Sequence, residues 1–362
     1  MKVLFCINKL GSGSSIGGAE RLVVDDMNEM LSRGVSVRLL TLRKESQFSL
    51  ADESLLDKKD WKTIHIGSFL NIVAWFRVYS YLRKERPDVI FTHLWFSNTV
   101  IRIVGKLAGI RNIISFEHNI YDSVKTGKMY AMDRFLQKWC KKIVAVSSAV
   151  KTSLVEHGID EKRIIVINNG IDISKYKKDP TPGFKEGLGI PEDTFTYLTI
   201  ARLIEQKGID VLIHAFAELK DHSVLLIVGT GSDEAVLKQL AQELGVSDRV
   251  RFLGARHDIP DVLSVADVFV LASRYEGLGI VVLEAMAAGK PIIISDFPAG
   301  KDMITADTDG LVVGIEDAEG LSVAMKRLSE DSDLRAKLGA SAYEKVQDFS
   351  IQNHVSKILD LI

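Results

Sequence analysis

The sequence predicts two doubly wound α/β lobes in tandem, each a parallel sheet with helices on both faces, and three observations predict them. A chain of 362 residues exceeds what one hydrophobic core usually serves, since domains run to about 100–200 residues. Apolar residues make up 46% and charged residues 26%, an ordinary globular composition that excludes a disordered or collagen-like chain. From end to end, short β-branched runs alternate with longer amphipathic stretches, which is how a buried parallel sheet with crossover helices reads.

In the first half, strands are expected at 3–8, 35–42, 63–66, 89–92, 112–117 and 143–146, with 164–167 closing the lobe. After Asn169-Gly170 the polar run 177–183 carries Pro180, Pro182 and Gly183, which forbid a regular element. The first lobe is therefore expected to span 1–175 and the second 184–348. The second alternation gives strands at 197–201, 224–228, 250–253, 268–271, 291–295 and 311–313, then helices over 317–361 with a break at Asp348-Phe349-Ser350. Carboxyl ends of two such sheets should face one central cleft, where ligands sit in open α/β folds.

Charge and cysteine content narrow the class. The 46 Lys+Arg against 48 Asp+Glu give −2, so the whole chain does not read as a nucleic-acid binder. The average hides an asymmetry: residues 1–170 hold 26 basic and 17 acidic side chains, net +9, leaving 20 and 31, net −11, for 171–362. Cys6 and Cys140 show neither metal-ligand spacing nor a disulfide framework, which fits a reducing compartment. The apolar run at 3–7 is too short for a secretory signal, and no uncharged run of 18 apolar residues spans a bilayer. A cytoplasmic protein is expected, with any membrane role peripheral.

Three glycine-bearing turns carry the chemistry. Gly11-Ser12-Gly13-Ser14-Ser15-Ile16-Gly17-Gly18-Ala19-Glu20 follows the first strand and feeds an amphipathic helix; it reads either as a flexible loop or as backbone amides presented to a phosphate. Its third glycine is misplaced for a dinucleotide fingerprint, and the second strand runs into Arg43-Lys44 before Glu45, which disfavours a nicotinamide enzyme. Arg202 and Lys207 follow the first strand of the second lobe, with Lys207 expected to open a helix. As a pair they suit a diphosphate that gains charge as it leaves, or are solvated charges in a turn. Glu276-Gly277-Leu278-Gly279-Ile280-Val281-Val282-Leu283-Glu284 opens a helix at 280–288 whose first amides would face phosphate oxygens. Glu284 lies in an otherwise apolar helix, where an unpaired carboxylate is expensive, so a hydroxyl-rich partner is expected.

Gly17-Gly18-Ala19-Glu20-Arg21, the Arg202/Lys207 pair, Val228-Gly229-Thr230-Gly231, Phe252-Leu253-Gly254 and two glutamates eight apart in Glu-Gly-Leu-Gly…Leu-Glu-Ala-Met together resemble glycosyltransferase family 4. That family comprises retaining, nucleotide-sugar-dependent enzymes of the GT-B fold, and the likeness runs in order over nearly the whole chain. The resemblance implies that Arg202 and Lys207 clamp the diphosphate. Gly17, Gly18 and the Gly279 and Ile280 amides would complete its cradle. Glu284 would take the ribose hydroxyls, Glu276 the donor sugar, and His118 the donor side of the site. Loops around Gly231 and Arg256 fall where the family seats the base, mostly through backbone atoms. It further implies no cofactor and no catalytic metal, closure of the lobes about 170–185, and a terminal helix, 350–362, packing back on the first lobe.

Two stretches compete with that reading. Asp307-Thr308-Asp309 spells the acidic triplet of metal-dependent transferases, but it precedes Gly310 in a polar turn far from the phosphate loops and reads as a turn. Residues 125–142 carry six basic side chains and one acid among Met129, Tyr130, Phe135, Leu136 and Trp139. At helical spacing this is either a basic amphipathic face for weak, salt-sensitive docking on the anionic inner face of the plasma membrane, or a sheet-covering helix with a solvated side. A second aromatic and basic stretch, 69–86, fits an ordinary crossover helix.

The expected activity is therefore that of a retaining hexosyltransferase moving a hexose or N-acetylhexosamine from a UDP-sugar to an acceptor hydroxyl, on a lipid-linked or cell-surface glycan intermediate. A sugar-nucleotide epimerase of the same architecture and a non-catalytic nucleotide-sugar-binding protein remain as alternatives.

Overall fold

The computed structural model describes residues 1–11, 17–44, 50, 53–120, 125–220 and 222–362. They form two compact units, one of 1–170 with 351–362 and the other of 171–350. The stretch 12–16 of the first glycine-rich loop, and Glu45, lie outside the described residues.

In the first unit the strands are β1 (Lys2–Ile7), β2 (Ser36–Thr41), β3 (Trp61–Thr63), β4 (Val89–His93), β5 (Ile113–Glu117), β6 (Lys142–Ala145) and β7 (Ile164–Val166). They pair in parallel in the order β3-β2-β1-β4-β5-β6-β7. β1 is central, and Val3 to Ile7 are buried on both of its faces, which explains an unbroken apolar run rather than an alternating one. The helices are α1 (Gly18–Ser32), α2 (Ile72–Glu85), α3 (Trp95–Leu107), α4 (Gly127–Leu136) and α5 (Ser148–Glu156). Asn71 and Ser147 cap α2 and α5 by accepting the Ala74 and Val150 amides, satisfying donors a helix start leaves open.

Two expectations change here. The third strand lies at Trp61–Thr63, not 63–66, because β2 ends at Thr41 and pairs its last three residues with Trp61, Lys62 and Thr63. Ile64 and Ile66 still donate to the Thr41 and Leu42 carbonyls and stay buried. Nor is 125–142 one basic face: it divides into α4, a 3-10 turn (Gln137–Trp139) and β6. The Lys125 side chain is fully buried, its Nζ 3.2 Å from Glu117 Oε2 and 3.0 Å from Asp133 Oδ2, while Arg102 holds the other Asp133 oxygen at 2.6 Å. Among the described residues, no helix is long and apolar enough to cross a membrane.

The C-terminal helix, Ile351–Leu359, belongs to the first unit. Its stripe Ile351, Val355 and Ile358 is buried with Leu22, Val23 and Met27 of α1, the spacing of one helix face. Beneath that stripe His354 Nδ1 donates to the Asn168 carbonyl at 2.7 Å, which turns Nε2 to Asp26 Oδ1 at 3.3 Å. Burial works against the imidazolium, but Asp26 and the Asn168 carbonyl outweigh it and lift His354 above 6.5; Lys357 opposes them. Burial also lifts the Asp26 carboxyl above its usual range, against the pull of His354 and with a contribution from Asp25.

The opposite holds for two other enclosed histidines. Burial first, then the charge of neighbouring histidines, lowers His93 well below 6.5 and His118 to about 3. The two sets set opposite slopes of stability against pH. A raised histidine contributes stability that is complete below 6.5 and is lost as pH climbs through its folded value. Lowered histidines bind protons more readily when unfolded, so they cost stability as pH falls below 6.5. Through these histidines, denaturant midpoints are expected to fall as pH drops below 6.5 and as it climbs through the folded value of His354, and His354→Gln should flatten the alkaline fall.

The second unit repeats the architecture with β8 (Thr196–Ile200), β9 (Val224–Val228), β10 (Val250–Gly254), β11 (Val268–Leu271), β12 (Ile292–Ser295) and β13 (Leu311–Val313). These are all parallel in the order β10-β9-β8-β11-β12-β13. Its helices are α6 (Phe184–Gly187), α7 (Ile209–Ala217), α8 (Glu234–Glu243), α9 (Ile259–Ser264), α10 (Ile280–Ala287), α11 (Ala318–Glu330) and α12 (Ser332–Lys345). The run 171–183, expected as a linker after 175, is packed into this unit. Tyr176 is buried, Lys177 lies over the Tyr343 ring at 4.8 Å, and Thr181 donates to Asp261 at 3.1 Å.

Candidate active site

Strand order reverses between β8 and β11 in the second sheet, because β8 is flanked by β9 on one side and β11 on the other. Crossovers leave such a pair in opposite directions, so a crevice opens at its carboxyl end. Arg202 and Lys207 follow β8, and Glu276, Gly279 and Ile280 follow β11, with Glu284 one turn into the helix that Gly279 opens.

The loops there are laced by backbone. Ala201 N–H donates to Val228 O, Leu203 N–H to Thr230 O, and Arg274 N–H to Gln206 O at 2.8 Å. The Gln206 side chain donates to the Tyr275 carbonyl at 2.8 Å. Gly229 has φ 133°, and a Cβ on it would lie 1.9 Å from the Ala201 carbonyl oxygen; glycine is required both for the angle and for the contact. Gly231 presses on Leu203 in the same way, so this residue shapes the loop rather than offering a side chain. Gly229→Ala is expected to push the β9 loop off Ala201 and Arg202. The nucleotide binding that the family resemblance implies is then expected to weaken at least tenfold, as read by calorimetry.

Lys207 is the last residue of a 3-10 turn, Glu205–Lys207, and not the first of a helix; Gly208, at φ 60°, separates it from α7. Its ammonium pairs with Glu276, and Ser273 Oγ donates to the same carboxylate oxygen at 2.7 Å. Both charges are largely buried, which holds them in place without substrate. Gly279, at φ 99°, starts α10 with no side-chain cap on the helix, leaving a partial positive charge at the helix start. Its ideal Cβ position is 3.8 Å from the Glu276 side chain. Arg202 is exposed, and its guanidinium has no partner among the described residues.

Two further predicted residues have partners within the second unit. Glu284 accepts from the Tyr176 hydroxyl at 2.9 Å, so the expected hydroxyl partner is supplied by the chain itself. Arg256 is forked onto Asp258, at 2.8 and 2.5 Å, and lies over the Phe184 ring at 5.6 Å. The triplet at 307–309 is a turn: Asp309 accepts the Thr305 amide at 2.7 Å and Lys345 Nζ at 2.9 Å, and Asp307 faces Arg327.

In the first unit the order reverses between β1 and β4. Gly17 caps α1 and Gly18 begins it; a Cβ on Gly17 would fall 2.3 Å from Glu20 Oε2, so a carboxylate already rests against this helix start. His118 follows β5, and its Nε2 is 3.0 Å from His93 Nδ1. His93 ends β4 between the Phe5 and Phe116 rings. Glu117, the neighbour of His118, is gripped by Asn98 and Lys125, which fixes the strand end carrying the histidine. Sequence reasoning missed His93 and Tyr176. A histidine at the carboxyl end of a strand beside the order reversal was a usable signal for His93; nothing local marks Tyr176.

Two parallel α/β units, with cations and tight glycine turns at the order reversal of the second, are the lobes of the GT-B class. The solved structure of Anabaena HepE in complex with UDP-glucose superposes with a TM-score of 0.85 over 100% of both chains at 22% identity, which shows the fold. A model described as "Glycosyl transferases group 1" matches residues 181–345, and one described as "Glycosyltransferase Family 4" matches 16–175. The lipopolysaccharide core biosynthesis glycosyltransferase LpsD of Rhizobium meliloti is 30% identical over 95% of this chain and 94% of its own. An Escherichia coli UDP-Gal:alpha-D-GlcNAc-diphosphoundecaprenol alpha-1,3-galactosyltransferase is 28% identical over 78% and 77%. The chain belongs to glycosyltransferase family 4.

Proposed function

We propose that this glycosyltransferase moves a hexose or N-acetylhexosamine from a UDP-sugar, with retention at the anomeric carbon, to a hydroxyl of a lipid-linked glycan intermediate. The observation that carries the reading is the pre-set Lys207–Glu276 pair beside the open Arg202, all at the β8/β11 reversal. Arg202 and Lys207 neutralise the departing diphosphate, aided by the amides that open α10. Stabilising charge where it develops, with groups already oriented, is the largest catalytic effect such a site supplies. Glu276, engaged by Lys207 and Ser273, orients donor hydroxyls instead of attacking. Retention then follows from acceptor attack on the face the diphosphate leaves, with a phosphate oxygen taking the proton.

In this reading Glu284 and Tyr176 meet the ribose, Gly231 and Arg256 frame the base, and Gly17, Gly18 and His118 serve the donor side from the first unit. The uridine donor and lipid-linked acceptor are supported by the printed specificity of the Escherichia coli relative and by the UDP-glucose bound to HepE. Nucleotide release over uridine, guanosine and adenosine diphosphate sugars, with and without an undecaprenyl-diphosphate-linked acceptor, tests it. Uridine-selective, acceptor-dependent release that persists in EDTA is expected. Donor conversion without acceptor would indicate an epimerase, and no nucleotide binding at all would leave a cleft without chemistry.

A further inference from the structure

Arg274 follows Ser273 in the loop after β11, two residues before Glu276, and has no part in the donor reading. An arginine side chain has five N–H groups, and here each finds an acceptor. Nε–H donates to Glu316 Oε1, and Nη1 donates to the Glu205 carbonyl and to Asp210 Oδ1 at 3.0 Å. Nη2 donates to Asp210 Oδ2 at 2.8 Å and to Glu316 Oε2 at 3.1 Å. Three connections therefore meet on one planar group: the turn that carries Lys207 with the start of α7, the β11 loop that carries Glu276, and the β13–α11 connection that carries Glu316.

The first two are also joined through backbone. Arg274 N–H donates to the Gln206 carbonyl, and the Gln206 side chain donates to the Tyr275 carbonyl. Gly208 lies so close to the end of β11 that a Cβ on it would fall 2.0 Å from the Ala272 carbonyl oxygen. Residues 205–208 and 272–275 thus run against each other in one register, and the paired Lys207 and Glu276 are carried by those two segments.

Glu316 reaches Arg274 from a backbone at φ 62°, a left-handed conformation that costs a non-glycine residue free energy. Folding stability does not account for that cost. The Asp210 and Glu316 side chains are 44% and 54% exposed, and ion pairs so open to water contribute little to folding. What the five bonds supply is geometry, because a planar fork held by two carboxylates and a carbonyl cannot shift without breaking several bonds at once.

We infer that Arg274 is a positioning residue of the transferase: it fixes the 205–208 turn against the β11 loop, and through them the spacing of Lys207 and Glu276, with Asp210 and Glu316 as its cradle. The inference rests on the reading of Lys207 and Glu276 as donor-side groups and adds the group that sets their separation.

A double-mutant cycle on turnover tests it. Arg274→Gln is expected to lower kcat at saturating donor by about 10–100-fold, the scale of a small misplacement of reacting groups, with an unchanged circular dichroism melt. In a Lys207→Ala background the same substitution should cost at most about threefold, because the pair whose spacing it sets is already broken. Arg274→Lys keeps the charge without the fork and should recover only part of the rate. Glu316→Gly accepts the same φ without the carboxylate and should lower kcat several-fold. Amide hydrogen exchange, read without substrate, should quicken in 204–208 and 274–277 of Arg274→Gln and keep wild-type rates in the strands. Arg327→Gln, which breaks an exposed pair with Asp307 in the same unit, should turn over as wild type. Wild-type kcat in Arg274→Gln beside an impaired Lys207→Ala would overturn the inference and leave the donor reading standing. Equal fold-losses in the two backgrounds would overturn it too, since they would assign Arg274 to folding alone, and normal turnover in Lys207→Ala would overturn both readings.

Discussion

Replacing Arg202 by alanine is expected to lower turnover at saturating donor by 10²–10³-fold, about 2.7–4 kcal/mol of transition-state stabilisation. The guanidinium is exposed and has no partner among the described residues, so circular dichroism should show an unchanged melt. A loss seen mainly in kcat would mean that the cation meets charge developing on the leaving group; a loss confined to KM would mean uniform donor binding. Lys207→Ala should be at least as damaging, since it also leaves the largely buried Glu276 carboxylate without its ammonium partner, with Ser273 still donating to it. Near-normal turnover in Arg202→Ala would remove that side chain from the mechanism.

The largest stability effect is expected from Lys125→Met. The ammonium lies between Glu117 and Asp133 with all three side chains buried, and removing one partner of such a group typically costs about 3–5 kcal/mol because charge is left without compensation. For a unit of this size that amounts to a melting temperature lower by roughly 6–20 °C. Lys59→Ala is the control. Its partner Asp57 is as exposed as Lys59 itself, and surface pairs of that kind seldom register in a melt. Activity of the surviving folded fraction reports a second thing, since Glu117 adjoins His118: if the triad serves only folding, turnover per folded molecule stays unchanged.

Strands were the most legible part of this molecule, for a physical reason. A parallel strand covered on both faces must be apolar throughout, so β1, β9 and β11 announce themselves in a few consecutive residues. Turn glycines were legible too, because the angle at Gly279 and the carbonyl contact at Gly229 each exclude a side chain. What stayed hidden depends on partners far along the chain. Lys125 reads as a surface cation until Glu117, Asp133 and Arg102 are brought around it. Tyr176 reads as a linker residue until it meets Glu284, 108 positions away. The stretch 69–76 failed in the other direction, since apolar composition suggests burial and only the packing of α2 shows which residues are left outside.

Because Ile351–Leu359 completes the first unit, order of synthesis matters. A ribosome emitting about 5–20 residues per second makes the 180 residues of 171–350 in roughly 10–40 s. For that interval Leu22, Val23 and Met27 wait without their covering helix, and Asp26 without its histidine. Termination between residues 170 and 350 would release the amino-terminal unit with that apolar stripe uncovered.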